Sequence, residues 1–286
     1  MTDLLLRHIA ACNNAELPGD RLRFRIGPHP VGWVSPAFAA LLLAMPEFAA
    51  APNAVVLLPD AAPNLPDIAR RLSERGIYRN RHEAFDVRTT PAGPVLARID
   101  RGALPSFGIL AQGVHLNGLV QKAPTGTTTG LHLWVARRAA TKALDPGKLD
   151  HLVAGGVPAN RTLRQTLVKE AAEEAGIPPD LAAQATETGR FTYAMTRPEG
   201  LRRDHIVAYD LTLPDSFTPV PADGEVESFA LWPIETVLAE VRTTDNFKFN
   251  VNLVLIDLFL RLDLVPEAAE LRLALQALRD GDGLFG

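Results

Sequence analysis

The chain has 286 residues, of which 47% are hydrophobic and 22% charged, a composition typical of folded globular proteins that excludes extensive disorder. Its formal net charge of −4 gives no support to nucleic-acid binding, because non-specific binding depends on neutralising phosphates. The single cysteine, Cys12, excludes an intrachain disulfide and a thiolate-rich metal site, and it fits a reducing compartment. At roughly 150 residues per domain, the length predicts about two domains.

No stretch of the sequence predicts a membrane span or a secretion signal. The longest apolar run, residues 37–45, is bounded by prolines and is far shorter than the ~20 residues that a spanning helix needs. The first residues lack the basic start and the small-residue cleavage site of a signal peptide. We therefore expect a cytoplasmic protein without a membrane partner.

Residues 1–108 predict a small mixed α/β domain made of short elements. Alternation of Leu22, Phe24 and Ile26 with arginines predicts a half-buried strand. Ser35 followed by Pro36 predicts the start of a helix, with serine as the N-cap. The other predicted elements are helices at 3–14 and 64–75 and strands at 55–58, 84–88 and 94–99. Residues 104–108 predict the link to the next domain.

Residues 109–286 predict a second, larger domain of the α+β class. Its predicted strands lie near 114–120, 131–135, 189–197 and 205–213, and its predicted helices at 162–175, 233–241, 247–262 and 266–279. Strands that precede and follow an isolated helix favour a mixed sheet over a doubly wound parallel one.

The predicted helix at 162–175 carries an acidic face. Thr162 is the predicted N-cap and Gly176 the predicted C-terminal stop. Glu170, Glu173 and Glu174 share an arc of about 100°, since residues three and four apart are neighbours on a helix. Three like charges repel, and a divalent cation that binds carboxylate oxygens would offset the repulsion. A solvated acidic face is the alternative interpretation of the helix taken alone.

The residues around this helix resemble the Nudix box, G-x5-E-x7-R-E-U-x-E-E-x-G-U, in which U is aliphatic. The matching positions are Gly155 for the first glycine, Glu170 for the glutamate of R-E, Glu173 and Glu174 for E-E, and Gly176 for the closing glycine.

Three positions depart from the box. Arg161 stands where the first glutamate is usual, Lys169 replaces the arginine, and Ala171 is a small version of the aliphatic residue. Lys169 can pair with a carboxylate only as a point charge, without the bidentate fork of arginine. We therefore expect looser orientation of the glutamates, lower activity or a shifted substrate choice, but an intact metal site.

The Nudix resemblance implies an α/β/α sandwich around a mixed sheet and hydrolysis of a diphosphate linked to another moiety. It implies that Mg²⁺ or Mn²⁺ is held by Glu170, Glu173, Glu174 and the carbonyl of Gly155. Many members of the family use one more carboxylate outside the box as a ligand or base, and Glu225, beside the Gly224 turn, is the candidate here. An acidic loop that aids solubility is the alternative for Glu225.

A wider pattern resembles the Nudix domain of thiamine pyrophosphokinase-related proteins and the uncharacterised domain before it. The segments that carry this resemblance are 24–26, 32–36, 134–138, 146–150, 153–156, 223–227, 231–233 and 247–250. It implies thiamine diphosphate, or its oxo and oxy analogues, as the substrate and the monophosphate as product. A hydrolase of nucleotide sugars or other nucleoside diphosphate derivatives is the first rival. A regulatory module that binds a diphosphate metabolite and turns it over poorly is the second.

A basic loop precedes the box and supplies candidates for substrate binding. Arg137, Arg138 and Lys142 are positioned to meet diphosphate oxygens, for which the arginine fork is well suited. Strand alternation directs Arg137 and Arg138 to opposite faces, so at most one of them is expected at the site. Solvated surface charge is the alternative for all three.

Other residues are assigned less specific roles. His115, His132, His151 and His205 are scattered singly in the sequence and are interpreted as strand or loop residues. Cys12 is expected to be buried. The first domain has two open roles, as a cap over the cleft or as the contact of a homodimer.

Overall fold

The computed structural model describes residues 3–126, 129–222, 224–266, 268–281 and 284. The helices are α1 (Asp3–Cys12), α2 (Pro36–Leu43), α3 (Leu65–Glu74), α4 (Leu104–Phe107), α5 (Leu163–Ala175), α6 (Pro179–Ala182), α7 (Ile234–Thr243), α8 (Val251–Arg261) and α9 (Ala269–Asp280). The strands are β1 (Leu22–Ile26), β2 (His29–Val34), β3 (Phe48–Ala51), β4 (Ala54–Leu57), β5 (Ala84–Val87), β6 (Ala97–Asp100), β7 (Leu110–Gln121), β8 (Leu131–Arg138), β9 (Leu149–Asp150), β10 (Val153–Gly156), β11 (Thr186–Arg197), β12 (Gly200–Thr212) and β13 (Val226–Pro233).

The N-terminal domain is built on a four-stranded sheet in the order β2-β1-β4-β3, with β5 and β6 as a separate hairpin. Strand β1 pairs parallel with β4 and antiparallel with β2. The predicted start of α2 is confirmed, because the Ser35 hydroxyl accepts a hydrogen bond from the amide of Phe38 at 3.3 Å and Pro36 opens the helix. The apolar sides of α2 and α3 are buried in the same core as β1 and β4.

The expected link at 104–108 is instead part of this core. Residues 104–107 form α4, and Phe107 is fully buried with its ring centroid 5.0 Å from that of Phe24 and 4.9 Å from that of Phe38. Gly108 ends the helix at φ +56°, a conformation that favours glycine. A leucine and a phenylalanine in a five-residue segment carry enough apolar surface to be buried rather than to form an exposed linker.

The second domain confirms the predicted mixed sheet. Seven strands run in the order β11-β12-β7-β8-β13, with β10 paired to β7 and β9 to β8. The β12–β7 pair is parallel, whereas β11–β12, β7–β8 and β8–β13 are antiparallel.

Side chains alternate between the two faces of this sheet and divide the core into two layers. Leu133 and Val135 of β8 face a core shared with α1, α7, α8 and α9. Trp134, between them, faces the core shared with α5 and α6. The domain is therefore the α/β/α sandwich that the sequence analysis predicted, with α5 on one face of the sheet.

Helix α1 precedes the N-terminal domain in the chain but packs with the second domain. Leu5, Ile9 and Cys12 are buried in the core that contains α8 and α9, which confirms the expected burial of Cys12. His8 makes a 2.7 Å hydrogen bond to the carbonyl oxygen of Val241 in the same region. Within the described residues, no helix is long and apolar enough to cross a membrane.

Candidate active site

Helix α5 begins and ends where its capping residues predict. The Thr162 hydroxyl accepts a hydrogen bond from the amide of Gln165 at 3.1 Å, and the Gln165 side chain accepts one from the amide of Thr162 at 2.9 Å. This reciprocal pair is a capping box, which satisfies two amides at the start of the helix. Gly176 ends the helix at φ +65°. These local interactions fix the ends of α5, and burial of Leu167, Ala171 and Ala175 against the sheet turns its acidic face away from the core.

The three glutamates of α5 differ in their exposure. Glu174 is 7% exposed, Glu170 is partly buried, and the side chain of Glu173 is about half exposed. Lys169 joins two of them, because its ammonium lies 3.2 Å from Glu170 Oε1 and also pairs with Glu173. The lysine thus orients these carboxylates although it lacks the arginine fork.

The glycine strand β10 lies directly against the acidic face of α5. The Ala154 amide donates a hydrogen bond to Glu174 Oε2 at 2.9 Å. A Cβ atom at Gly155 would lie 2.5 Å from Cγ of Glu170, so this position requires glycine. The structure therefore brings Gly155, Glu170 and Glu174 together, as the sequence analysis expected.

Burial and crowding disfavour the charged forms of these carboxylates. Burial raises the pKa of Glu174 to about 8, against the opposing hydrogen bond from Ala154, and the negative charges of Asp150, Glu170 and Glu225 act in the same direction as burial. Burial also raises the pKa of Glu170, although Lys169 opposes it. In the part of the chain that the structure describes, no lysine or arginine lies within salt-bridge distance of Glu174. A divalent cation bound here would stabilise both carboxylates.

Glu225 directly precedes β13 and lines the same small cavity as Glu174. Its carboxylate pairs with Lys142 and is half exposed, and its negative charge reaches both Glu170 and Glu174. Burial alone would raise the pKa of Glu225, but the hydrogen bond from Lys142 and the charges of Arg101 and Arg138 lower it overall. The neighbouring Asp223, part of the predicted turn, lies outside the described residues.

The two arginines at the end of β8 point to opposite sides, as alternation predicted. Arg138 is buried, and its fork donates to Asp150 Oδ2 at 2.6 Å and to the carbonyls of Asp145 and Leu144 at 3.0 and 2.8 Å. Arg137 is exposed and donates to the carbonyl of Gly147 at 3.0 Å. The guanidinium of Arg138 is therefore already engaged with protein oxygens.

Two concave regions involve α5 or the strands beside it. The enclosed one, about 10 Å³, is lined by Ala136, Arg138, Lys142, Asp150, His151, Ala154, Glu174, Glu225 and Val226, and is about the size of one water. The open one is a groove of about 680 Å³ lined by Ala159, Asn160, Arg161, Arg164, Gln165, Val168 and Lys169. Arg161 and Lys169, the two charged departures from the box, thus both face the open groove.

Comparison with known proteins matches each half of the chain to a family. The NUDIX domain family matches residues 124–251, and a domain of unknown function, DUF4743, matches residues 4–111. An uncharacterized Nudix hydrolase, orf19, of Rhodococcus erythropolis is 31% identical over 136 residues, which cover 46% of this chain and 73% of that protein. The chain belongs to the Nudix hydrolase family.

One further relative and one solved structure of similar fold complete the comparison for this Nudix chain. Nudix hydrolase 20, chloroplastic, of Arabidopsis thaliana is 38% identical over 218 residues, which cover 76% of this chain and 57% of the relative. The chain therefore spans little more than half the length of that relative. The crystal structure of DR0079 from Deinococcus radiodurans shares 19% identity, covers 60% of this chain and 97% of its own, and has a TM-score of 0.45.

The Nudix domain also holds a buried polar network that the sequence analysis missed. Nδ1 atoms of His115 and His151 lie 2.9 Å apart, and Nε2 of His115 lies 3.4 Å from the side-chain nitrogen Nδ2 of Asn250. His115 lies in β7 and His151 in the turn before β10, as strand and loop residues, and they meet because β10 pairs with β7. The sequence offered one signal, which was the pair of polar residues at alternate positions of an otherwise apolar strand, His115 and Asn117. The structure buries both.

This network includes a second group of metal-ligand types. Ligand atoms of His115, Asp150 and His151 all lie within 4.8 Å of one another. However, Asp150 already pairs with Arg138 at 2.6 Å and Lys248 at 3.5 Å. These cations lower its pKa although burial acts to raise it. Two positive charges at the only carboxylate of the group oppose binding of a divalent cation.

By donor type, the box glutamates suit a hard divalent cation better than the histidine group does. Their donors are carboxylate oxygens, the ligand type that Mg²⁺ and Mn²⁺ prefer. Among the described residues, no lysine or arginine lies within salt-bridge distance of Glu174, whereas Asp150 has two such partners. The donor chemistry therefore favours the α5 site.

Proposed function

We propose that this Nudix protein hydrolyses a diphosphate linked to another moiety, with Mg²⁺ or Mn²⁺ held by Glu170, Glu173, Glu174 and the Gly155 carbonyl. The observation that carries the proposal is the buried carboxylate of Glu174. It lies near Glu170 and accepts a hydrogen bond from the backbone amide of Ala154. A cation that neutralises two such carboxylates also attracts the diphosphate. Chain composition and charge support a small-molecule substrate rather than a nucleic acid.

The chemistry that follows is attack of water on one phosphorus atom. A bound divalent cation supplies charge neutralisation at the diphosphate and activation of water. Glu225, or one glutamate of α5, accepts the proton of the attacking water. The water oxygen forms a bond to phosphorus while the bridging P–O bond breaks, and the departing phosphate takes up a proton from solvent. Lys142, which pairs with Glu225, holds that carboxylate in its charged, proton-accepting form.

For the substrate, we propose thiamine diphosphate or its oxo and oxy analogues, with thiamine monophosphate or its analogue as product. The support is the residue pattern at 146–150, 223–227 and 247–250, not the geometry of the site. Nucleotide sugars and other nucleoside diphosphate derivatives are the second candidates. A weakly active binding module is the third, and Arg161 and Lys169 are the residues that favour it.

The test is a panel of diphosphates assayed with Mg²⁺ by release of monophosphate. The unaltered chain should cleave thiamine diphosphate or its analogues faster than ADP-ribose or nucleotide sugars. Glu174→Gln should lower turnover at least ~100-fold, because loss of a ligand charge removes several kcal/mol of charge stabilisation. The fold should survive, since an amide oxygen can still accept the hydrogen bond from Ala154.

The matched control is Glu187→Gln, which removes a surface carboxylate paired with Arg190. It should keep turnover within twofold of the unaltered chain. Full activity of Glu174→Gln, or activity in excess chelator, contradicts the metal mechanism. A nucleotide sugar that is cleaved tenfold faster than the thiamine compounds contradicts the substrate proposal alone.

We further propose that the N-terminal domain caps the active site rather than serving only as a homodimer contact. For localisation, we propose the cytoplasm. A single, buried cysteine supports a reducing compartment. The Arabidopsis relative is named as chloroplastic, so fractionation of the source cell is the relevant measurement.

A further inference from the structure

The N-terminal domain contacts the loop that opens the Nudix box. The Ala84 carbonyl of β5 accepts a hydrogen bond from the amide of Ala159 at 2.7 Å. The next side chain, Phe85, covers Gly156, where a Cβ atom would lie 2.8 Å from Cζ of the ring. Arg98 of β6 donates to the side-chain oxygen of Asn160. The β5–β6 hairpin of the N-terminal domain therefore packs directly against the loop that opens the Nudix box.

Arg101, directly after β6, lies next to this contact between the two domains. Its guanidinium carbon lies 5.9 Å from the ring centroid of Phe85, the residue that covers Gly156. Its side chain is half exposed and pairs with Glu83 at 2.9 Å. Its positive charge acts on Glu225 of the second domain and lowers the pKa of that carboxyl group. Arg101 therefore lies beside the ring that covers Gly156, within electrostatic reach of Glu225.

The backbone around Arg101 is held in place by Asp100. Oδ1 of Asp100 accepts hydrogen bonds from the amides of Arg81 and Gly102 at 2.9 and 2.8 Å, and Oδ2 accepts one from Glu83 at 3.2 Å. These bonds tie the segment before β5 to the turn that carries Arg101. A side chain on such a fixed turn loses less conformational freedom when it binds a ligand.

Two cations that line the enclosed cavity are already engaged with protein groups. Arg138 is buried against Asp150 and two carbonyls, and Lys142 pairs with Glu225. A diphosphate that approaches the α5 carboxylates still has oxygens that face away from them, and these need donors. The arginine fork matches two phosphate oxygens at once.

We propose that Arg101 of the N-terminal domain is a substrate-binding residue of the Nudix site and binds diphosphate oxygens that face away from the α5 carboxylates. This proposal rests on the proposed function. On binding, Arg101 exchanges its exposed pairing with Glu83 for the phosphate. The domain of unknown function is then part of the substrate site and contributes to the choice of substrate.

The experiment measures binding of inorganic pyrophosphate in the presence of Ca²⁺, by calorimetry on the full chain. Arg101→Gln should raise the Kd at least fivefold, because it removes a charged fork from the ligand. Arg101→Lys should have a smaller effect, since it keeps the charge but not the fork. Glu83→Gln should lower the Kd, because it removes the competing carboxylate.

The matched control is Arg71→Gln, another exposed arginine of the N-terminal domain that pairs with a glutamate, Glu47. It should leave the Kd within twofold, and all four variants should melt like the unaltered chain. With the substrate that the panel selects, Arg101→Gln should raise KM severalfold and leave kcat within twofold.

The outcomes separate this inference from the proposed function. Equal Kd values for the unaltered chain and Arg101→Gln, or no pyrophosphate binding by the unaltered chain, overturn the role of Arg101. Diphosphate turnover by the unaltered chain would still support the proposed function in that case. Arg101-dependent binding without any turnover in the panel overturns the proposed hydrolysis but supports the anion site.

Discussion

Arg138 and Asp150 show how burial changes the use of a residue that the sequence assigns to substrate. Arg138 donates to Asp150, and both residues are buried. Removing one member of a buried ion pair leaves an uncompensated charge, and this is more costly than the pair is favourable. Of the two arginines, Arg137 keeps the exposed guanidinium, so its contact with substrate stays a prediction.

We expect Arg138→Met to lower the free energy of unfolding by about 3 kcal/mol. This loss lies at the lower end of the range for breaking a buried ion pair, because Lys248 still lies 3.5 Å from Asp150. Urea denaturation measures it. Arg137→Met, one residue away but exposed, is the control and should change the stability by no more than about 0.5 kcal/mol. Equal losses in the two variants would show that Asp150 does not depend on Arg138.

At the scale of secondary structure, the contact between β5 and β10 joins the two domains. Phe85 is buried, so its ring cannot move aside when Gly156 gains a side chain. We expect Gly156→Ala to lower the free energy of unfolding by about 1–3 kcal/mol through overpacking. Turnover should fall as well, because the same strand holds Gly155 against Glu170.

A double-mutant cycle with Phe85→Leu tests this explanation. The smaller side chain should relieve the overlap, so the double variant should lose less stability than the sum of the single variants. Strict additivity would mean that Gly156 does not meet the ring. Denaturation curves and the diphosphate assay on the same four proteins provide both readouts.

Elements were predictable where their local signals are strong. Helix α5 has a capping box and a closing glycine, and β1 alternates apolar and charged residues over its whole length. Strand β13 was missed because it is only partly buried and shows no clear alternation, so its place depends on pairing with β8. Helix α4 was taken for a linker because four residues provide no helical period.

At the scale of the whole molecule, α1 holds the start of the chain to the second domain. Leu5 is fully buried with α8 and α9, whereas its neighbour Leu4 is 46% exposed. We expect Leu5→Ala to lower the free energy of unfolding by about 2–5 kcal/mol, which is the cost of a cavity in a packed core. Leu4→Ala is the control, expected within about 0.5 kcal/mol. Thermal or urea unfolding compares them, and equal effects would mean that α1 does not pack as described.

What the sequence alone determined are features that repeat over a few residues or lie within one motif. The acidic face of α5, its caps, the glycines of the box and the opposite directions of Arg137 and Arg138 all follow from helical and strand periods. The tertiary structure decided which distant residues meet. His115 and His151 are 36 residues apart in the chain, and Asn250 is 135 residues from His115. Phe85 covers Gly156 only because the β5–β6 hairpin of the N-terminal domain packs on the second domain. Such contacts depend on strand order and domain packing, and these arise from the summed burial of many side chains rather than from any local pattern.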